Sequence, residues 1–358
     1  MPDVVLFGAT GYTGRLVADA LARRGADFAI CGRNREKLAE LAARTGDPEI
    51  RIAEVGDVDA LTEALAETKV LITCVGPFVE LGDTAVEAAL RAGVHYVDST
   101  GEGTFIGRLI AERQEQAKAA GIAMAPAMGF DEVPADVVAT LATEGMDDAE
   151  LTLTYALPRS ASAGTLRSSL GILVSRGPWI GDGKPTLIRA GQHARWAPMP
   201  PPLGPKASVS FPLAEGYLAP LHLDLRSLRL YITVGAAERI FFRTAVPGLR
   251  LALGTPIGGL MKKLAERAPE GPDAAARADS RWTILAEARS GDKWRNAWLQ
   301  GSDPYGLTAE FLATAAVEMC APGFDKAGVL SPVQAAGIDV LQKELIDKGV
   351  NIESHGSR

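Results

Sequence analysis

Gly8, Ala9, Thr10, Gly11, Tyr12, Thr13 and Gly14 form a GxxGxxG motif directly after a short apolar run and directly before a helical pattern. A helix N-terminus offers N–H groups and the positive end of its dipole to an anion, and glycines let a pyrophosphate approach the backbone. In this context Gly8, Thr10, Gly11, Tyr12, Thr13 and Gly14 predict a dinucleotide site. The plainer alternative is a tight turn. The second apolar run ends in Cys31-Gly32-Arg33-Asn34-Arg35-Glu36-Lys37. An NAD site usually has a carboxylate there for the ribose hydroxyls. Arg33, Arg35 and Lys37 instead suit a 2′-phosphate, so NADPH is the expected cofactor, against a merely solvated helix start. Asp57, after the third run, is either an adenine neighbour or a helix cap. Val75, Gly76 and Pro77 close the fourth run, where the strand order of such a sheet reverses and ligands bind. They too can be read as a structural turn.

A nicotinamide site needs groups that orient substrate or handle a proton. Asp98 and Ser99 end the fifth run, and Gly129, Phe130 and Asp131 follow the sixth. Asp131 is the first candidate for a catalytic role and Asp98 the second. Asp131 also reads as the N-cap of a helix carrying Pro134 in its first turn. Tyr155, His193 and Tyr305 are further acids, expected in the second half of the fold, each equally explained as a packed side chain. Cys74 reads as a small core residue. No tyrosine is followed four residues later by lysine, no G-x-S-x-G elbow is present, and Gly183-Lys184 is followed by proline rather than by the serine or threonine of a P-loop.

The elements that must hold these residues alternate. VVLF, FAIC, IRIAEV, KVLITCVG, VHYVD and IAMAP read as strands, with helical spacing between them. That pattern predicts a parallel, doubly wound (Rossmann) sheet. Beyond Gly145 the texture changes. LTLTYALP, SVSFPL, LRLYITV, RWTILAEAR and KWRNAWLQG alternate without regular intervening helices, which predicts a mainly antiparallel sheet in a second, α+β domain. Helical patches are expected at 165–175 and 259–267, surface loops at 197–206 and 269–277, and two helices after Leu307. The expected division is a nucleotide-binding domain over 1–130, a substrate or dimerisation domain over 131–302, and C-terminal helices over 303–358 that pack back on the first domain.

The chain has 358 residues, 37 basic against 44 acidic, and a formal net charge of −7. That excludes a generally basic nucleic-acid binder. Three scattered cysteines and four histidines without metal-ligand spacing predict neither a disulfide framework nor a metal site. The absence of a signal-like start or a long apolar run predicts a cytoplasmic protein. One stretch, 239–263, carries Arg239, Arg243, Arg250, Lys262 and Lys263 with no acidic residue, interleaved with Phe241, Phe242, Leu249, Leu251 and Leu253. Such a segment suits peripheral contact with an anionic inner-membrane surface, a homodimer contact, a lid over an apolar substrate or a buried stretch; Pro247 argues against one long amphipathic helix.

GATGYTG, GRNREKL, CVGPF, YVDSTGE and MGFDEVPAD occur in the order and form that resemble the saccharopine dehydrogenase-like oxidoreductases. SAGTLRSSL, GSDPYGLTAEFLATAAVEMC and GVLSPVQAAGIDVLQKELIDKGV are similar to the branch that includes trans-acting enoyl reductases of lipid and polyketide assembly. The resemblance implies an NADPH-binding domain, a substrate domain on a mixed or antiparallel sheet, and hydride transfer. The function it implies is reduction of a C=C (enoyl) bond in a hydrophobic, lipid-linked substrate. The enzymatic alternative is saccharopine-type C=N or C–N chemistry of amino-acid metabolism, for which Arg159, Arg167 and Arg176 are the nearest basic clamps. A non-catalytic NADPH-binding sensor or scaffold is the reading from another class.

Overall fold

A computed structural model describes residues 1–158, 171–173, 175–242, 244 and 271–357. Of the expected helical patch at 165–175 only 171–173, which are helical, and 175 are described; the patch at 259–267, together with Arg159, Arg167 and most of the basic stretch 239–263, lies outside the described residues. The chain divides into two units. One comprises Met1–Gly101, Phe105–Val133 and Pro304–Glu344; the other comprises Glu102–Thr104, Pro134–Asp303 and Leu345–Arg358.

The first unit opens with β1 (Val4–Phe7), α1 (Tyr12–Arg23), β2 (Phe28–Gly32), α2 (Arg35–Ala42), β3 (Glu49–Ile52) and α3 (Val58–Ala64). It continues with β4 (Val70–Thr73), α4 (Phe78–Leu81), α5 (Asp83–Ala92), β5 (His95–Asp98), α6 (Gly103–Ala120) and β6 (Ala123–Ala125), and α7 (Glu132–Thr143) starts at its margin. The second unit carries β7 (Ala149–Ala156), β8 (Arg176–Gly181), β9 (Lys184–Arg189), β10 (Ala194–Ala197), β11 (Lys206–Ser210), α8 (Glu215–Leu218), β12 (Leu225–Thr233), α9 (Ala274–Ala278), β13 (Trp282–Ser290) and β14 (Lys293–Gly301). The chain then returns to the first unit through α10 (Pro304–Cys320), β15 (Gly328–Val329), α11 (Pro332–Ala336) and α12 (Ile338–Asp347), and ends in β16 (Asn351–Gly356).

Seven parallel strands make the first sheet, in the order β15-β6-β5-β4-β1-β2-β3. β1, β2, β4 and β6 are buried along their whole length, as strands covered by helices on both faces are, whereas the edge strand β3 is exposed or half-buried throughout. Leu61, Val86, Phe105 and Leu109 pack with Val5, Phe7 and Leu71 in one core cluster. α10 packs against α1, β4 and β5. Twelve of its seventeen residues are buried, so it is an interior helix rather than an amphipathic one. Its one buried acid in the middle, Glu310, is held by Arg23 (2.8 Å) and Arg24 (2.5 Å) of α1, and Arg24 also reaches Glu344 of α12 at 3.0 Å. A buried carboxylate needs such partners. The seventh strand, β15, extends the six that the sequence predicts.

The second sheet runs β10-β11-β12-β7-β13-β14-β16, with the β8–β9 hairpin attached at β12. Its pairs are antiparallel except β7–β12. The hairpin turns on Asp182 and Gly183, both at positive φ (48° and 71°). Asp-Gly is the residue pair such a two-residue turn selects. The 197–206 loop, expected as a surface excursion, is partly internal: Ala197 and Met199 are buried against Leu285, with Leu203 packed on them. The helices expected to close the chain stop at Asp347, and the residues after them pair as β16 with β14.

Candidate active site

β1 has β2 on one side and β4 on the other, so the strand order reverses between β1 and β4. The loops that leave these two strands therefore meet. Gly8 stands at φ 81°, and a Cβ there would lie 2.6 Å from Val75 Cγ2. Only glycine serves both demands. The Gly8 and Ala9 N–H groups donate to the Cys31 carbonyl (3.0 and 3.3 Å), and Gly11 N–H donates to the Gly8 carbonyl (3.1 Å). Gly14 lies in the first turn of α1, where a Cβ would collide with the Gly8 carbonyl oxygen and sit 2.8 Å from Ala9 Cα. The turn is thus pressed onto the helix. Gly11 caps α1 without a side-chain hydrogen bond, and the first turn carries no acidic residue. That terminus keeps its affinity for an anion. Val75, Gly76 and Pro77 follow β4 directly, and Cys74 N–H donates to the Phe7 carbonyl at 3.0 Å. Burial and the charge of Asp98 push the Cys74 thiol up to about 12, so it stays protonated and unreactive.

At the end of β2, Arg33, Arg35 and Lys37 are exposed, and among the described residues their side chains make no ion pair. Asn34 accepts the Lys37 N–H at 2.9 Å and so starts α2. Three uncompensated cations at this strand end fit a phosphate monoester. Asp57 accepts the Ala60 N–H at 2.9 Å and caps α3, the plainer of its two readings.

The two candidate acids have opposite surroundings. Asp98 is fully buried. Its Oδ1 accepts the Thr100 N–H (2.8 Å) and the Ala127 N–H (2.9 Å), and its Oδ2 accepts the Tyr96 hydroxyl (2.6 Å). Its backbone carbonyl accepts the Met128 N–H at 2.8 Å. Asp98 therefore holds the loops after β5 and β6 together. Asp131 is half-buried, and among the described residues its carboxylate accepts no hydrogen bond. The geometry explains why. α7 begins at Glu132, so an N-cap at Asp131 would bond the N–H of Val133 or residue 134. The Val133 N–H already donates to the Gly129 carbonyl (3.1 Å), and residue 134 is proline. Left without donors in desolvating surroundings, the Asp131 carboxyl is pushed up to about 6.

The start of α10 joins these loops, which the sequence reading missed. Thr308 Oγ1 accepts the Phe130 N–H (3.0 Å) and donates to the Pro304 carbonyl (2.9 Å). The Tyr305 ring packs edge-on against Tyr12 of α1, with centroids 5.2 Å apart. Tyr305 thus belongs to the first unit, not to the second as expected. Tyr155 and His193 lie in the second unit, where Tyr155 is buried on β7 and His193 stacks on Trp179 at 5.0 Å. Among the described residues no cluster of metal-ligating side chains occurs, and no described helix is long and apolar enough to cross a membrane.

Residues 4–125 match the family described as saccharopine dehydrogenase NADP binding domain. A Mycobacterium tuberculosis protein, named provisionally as a trans-acting enoyl reductase, is 35% identical over 184 residues, 48% of this chain and 44% of its own length. The lipid droplet localized protein of Caenorhabditis elegans is 33% identical over 147 residues, 38% of this chain and 34% of that one. The matches span less than half the length of these relatives. Apo saccharopine dehydrogenase (L-Glu forming) from Saccharomyces cerevisiae shares the fold over the whole of both chains, with a TM-score of 0.67 at 14% identity.

Proposed function

We propose that this chain, whose residues 4–125 match the saccharopine dehydrogenase NADP binding domain, is an NADPH-dependent reductase of a C=C bond in a hydrophobic, lipid-linked substrate. Gly8, Thr10, Gly11, Tyr12, Thr13 and Gly14 receive the pyrophosphate. Arg33, with Arg35 and Lys37 beside it, takes the 2′-phosphate, and Val75, Gly76 and Pro77 flank the cofactor. Bound there, the reduced nicotinamide supplies a hydride to one carbon of the double bond. The other carbon needs a proton, and Asp131 is the group that handles it.

The observation that carries this reading is the Asp131 carboxyl, uncapped and raised to about 6, beyond the end of β6. A proton donor works best with a pKa near the working pH. Asp98, saturated by hydrogen bonds, fills a structural role instead. The lipid-linked substrate rests on the names of the relatives. Contact with an apolar surface has one structural support: Ile240 and Phe241, among the described residues of the basic stretch, are 65% and 44% exposed.

The test is oxidation of NADPH by the purified protein with long-chain trans-2-enoyl thioesters, followed by the loss of nicotinamide absorbance. Turnover that falls at least about 100-fold in Asp131→Asn, with NADPH affinity kept, supports the reading. Full turnover in that variant overturns the role of Asp131. Turnover of imines but not of enoyl thioesters overturns the C=C assignment.

A further inference from the structure

We propose that Thr308, at the start of α10, is the positioning residue that holds Asp131 in its uncapped, proton-handling arrangement. The inference rests on the reading of Asp131 given above and extends it to a residue 177 positions further along the chain. Phe130, directly before Asp131, is buried, and so is Thr308. The Phe130 N–H has Thr308 Oγ1 as its acceptor at 3.0 Å. The hydroxyl proton is directed to the Pro304 carbonyl at 2.9 Å, which leaves an oxygen lone pair facing Phe130. A buried N–H without an acceptor costs about 1–3 kcal/mol, so this bond fixes the backbone entering Asp131. α10 is itself fixed, because Glu310, two residues beyond Thr308, is clamped by Arg23 and Arg24 of α1. The anchor therefore runs from the helix behind the glycine turn, through α10, to the acid.

The same anchor opposes the alternative rotation of the loop. Asp131 escapes capping because Val133 N–H is taken and residue 134 has none. Release of Phe130 N–H frees the loop to turn and lets water reach the carboxyl. Among the described residues the ionisable groups built into these loops and the helix ends against them include Asp98, the buried Glu102 between β5 and α6, Glu132, whose carboxylate lies against Gly101 and Gly129, and Tyr305.

The experiment is a pH titration of the full-length protein labelled with ¹³C at aspartate Cγ, with Asp131 assigned by its loss in Asp131→Asn. In the native protein the Asp131 midpoint is expected near 6. Thr308→Val keeps the side-chain shape and removes the acceptor, and it is expected to lower the midpoint by about one pH unit or more, because a more solvated carboxyl returns towards its ordinary value. Thr308→Ser restores the acceptor and is expected to restore the midpoint. If Thr308→Val does not fold, as judged by circular dichroism, the same comparison is made with Thr308→Ala. A native midpoint near 6 that is unchanged in the variants without the hydroxyl overturns the positioning role while leaving Asp131 as the acid. A native midpoint near 4 overturns the reading of Asp131 itself. A melting temperature that falls in Thr308→Val with no shift of the midpoint shows a purely structural threonine and likewise overturns the proposal.

Discussion

Gly14→Ala sets two effects of known size against each other. In an ordinary helix, replacing glycine by alanine stabilises by about 0.8–1 kcal/mol, since alanine loses less backbone entropy. At Gly14 the added Cβ would collide with the Gly8 carbonyl oxygen and lie 2.8 Å from Ala9 Cα. Both obstacles are backbone, so neither can swing aside like a flexible side chain. Overpacking of that kind costs about 1–3 kcal/mol, which leaves a net loss of about 0–2 kcal/mol in the stability of the turn against α1. The cost to binding is expected to be larger than the cost to folding, because the displaced turn is the proposed cradle for the pyrophosphate. A loss of about 1.4–3 kcal/mol in NADPH binding is about 10–150-fold in Kd. Fluorescence titration with NADPH and thermal melting of the apo protein, run on both forms, separate the two effects. A Gly14→Ala protein that melts higher than the native form and binds NADPH within about twofold would refute the argument, since alanine's propensity would then be acting alone.

Arg33→Ala is expected to weaken NADPH by about 10-fold or more, the size of one charge-assisted hydrogen bond, and to change NADH by less than about threefold; equal losses for the two cofactors in the same titration exclude a 2′-phosphate role. Asp98→Ala leaves the Thr100 and Ala127 N–H groups and the Tyr96 hydroxyl without their acceptor in a buried site, and urea unfolding is expected to show a loss of about 3 kcal/mol or more. A loss under about 1 kcal/mol would mean that this network does not hold the loops together.

The sequence made the first sheet legible because its signal is local. Apolar runs alternate with helical spacing, and GxxGxxG stands at the first strand-to-helix junction, where the structure presses Gly14 onto Gly8. The second sheet was legible for β7, β11, β12, β13 and β14, whose alternation is plain. The β8–β9 hairpin carried a readable Asp182-Gly183 turn that the strand pattern alone did not reveal. β16 had no such signal: Asn351, Glu353 and His355 are exposed, and the segment becomes a strand only by pairing with β14. The sequence offers Asp131 as a candidate but gives no sign of what stands against Phe130 beside it. Thr308 looks like any threonine near a helix start, and its bond to Phe130 joins parts of the chain that meet only once α10 is packed on α1.

Asp98 and Asp131 show why position on the sheet edge does not by itself assign a role. Asp98 ends β5 and Asp131 stands beyond the end of the neighbouring β6, the edge at which ligands bind in this architecture. Around Asp98 the chain aims three donors at one carboxylate, two N–H groups and a tyrosine hydroxyl. These three donors favour the charged form and tie the loops to it, which is the arrangement of an anchor. Around Asp131 the chain withdraws the donors that a helix start normally offers: one N–H is turned back to Gly129, and the next is removed by Pro134. A carboxyl in that position is not stabilised in its charged form, and burial raises its proton affinity. On the role proposed for Asp131, the motif MGFDEVPAD sets that acid through its proline as much as through its aspartate. Restoring an N–H at residue 134, as in Pro134→Ala, would offer Asp131 the cap it lacks and draw the acid back to an ordinary structural carboxylate.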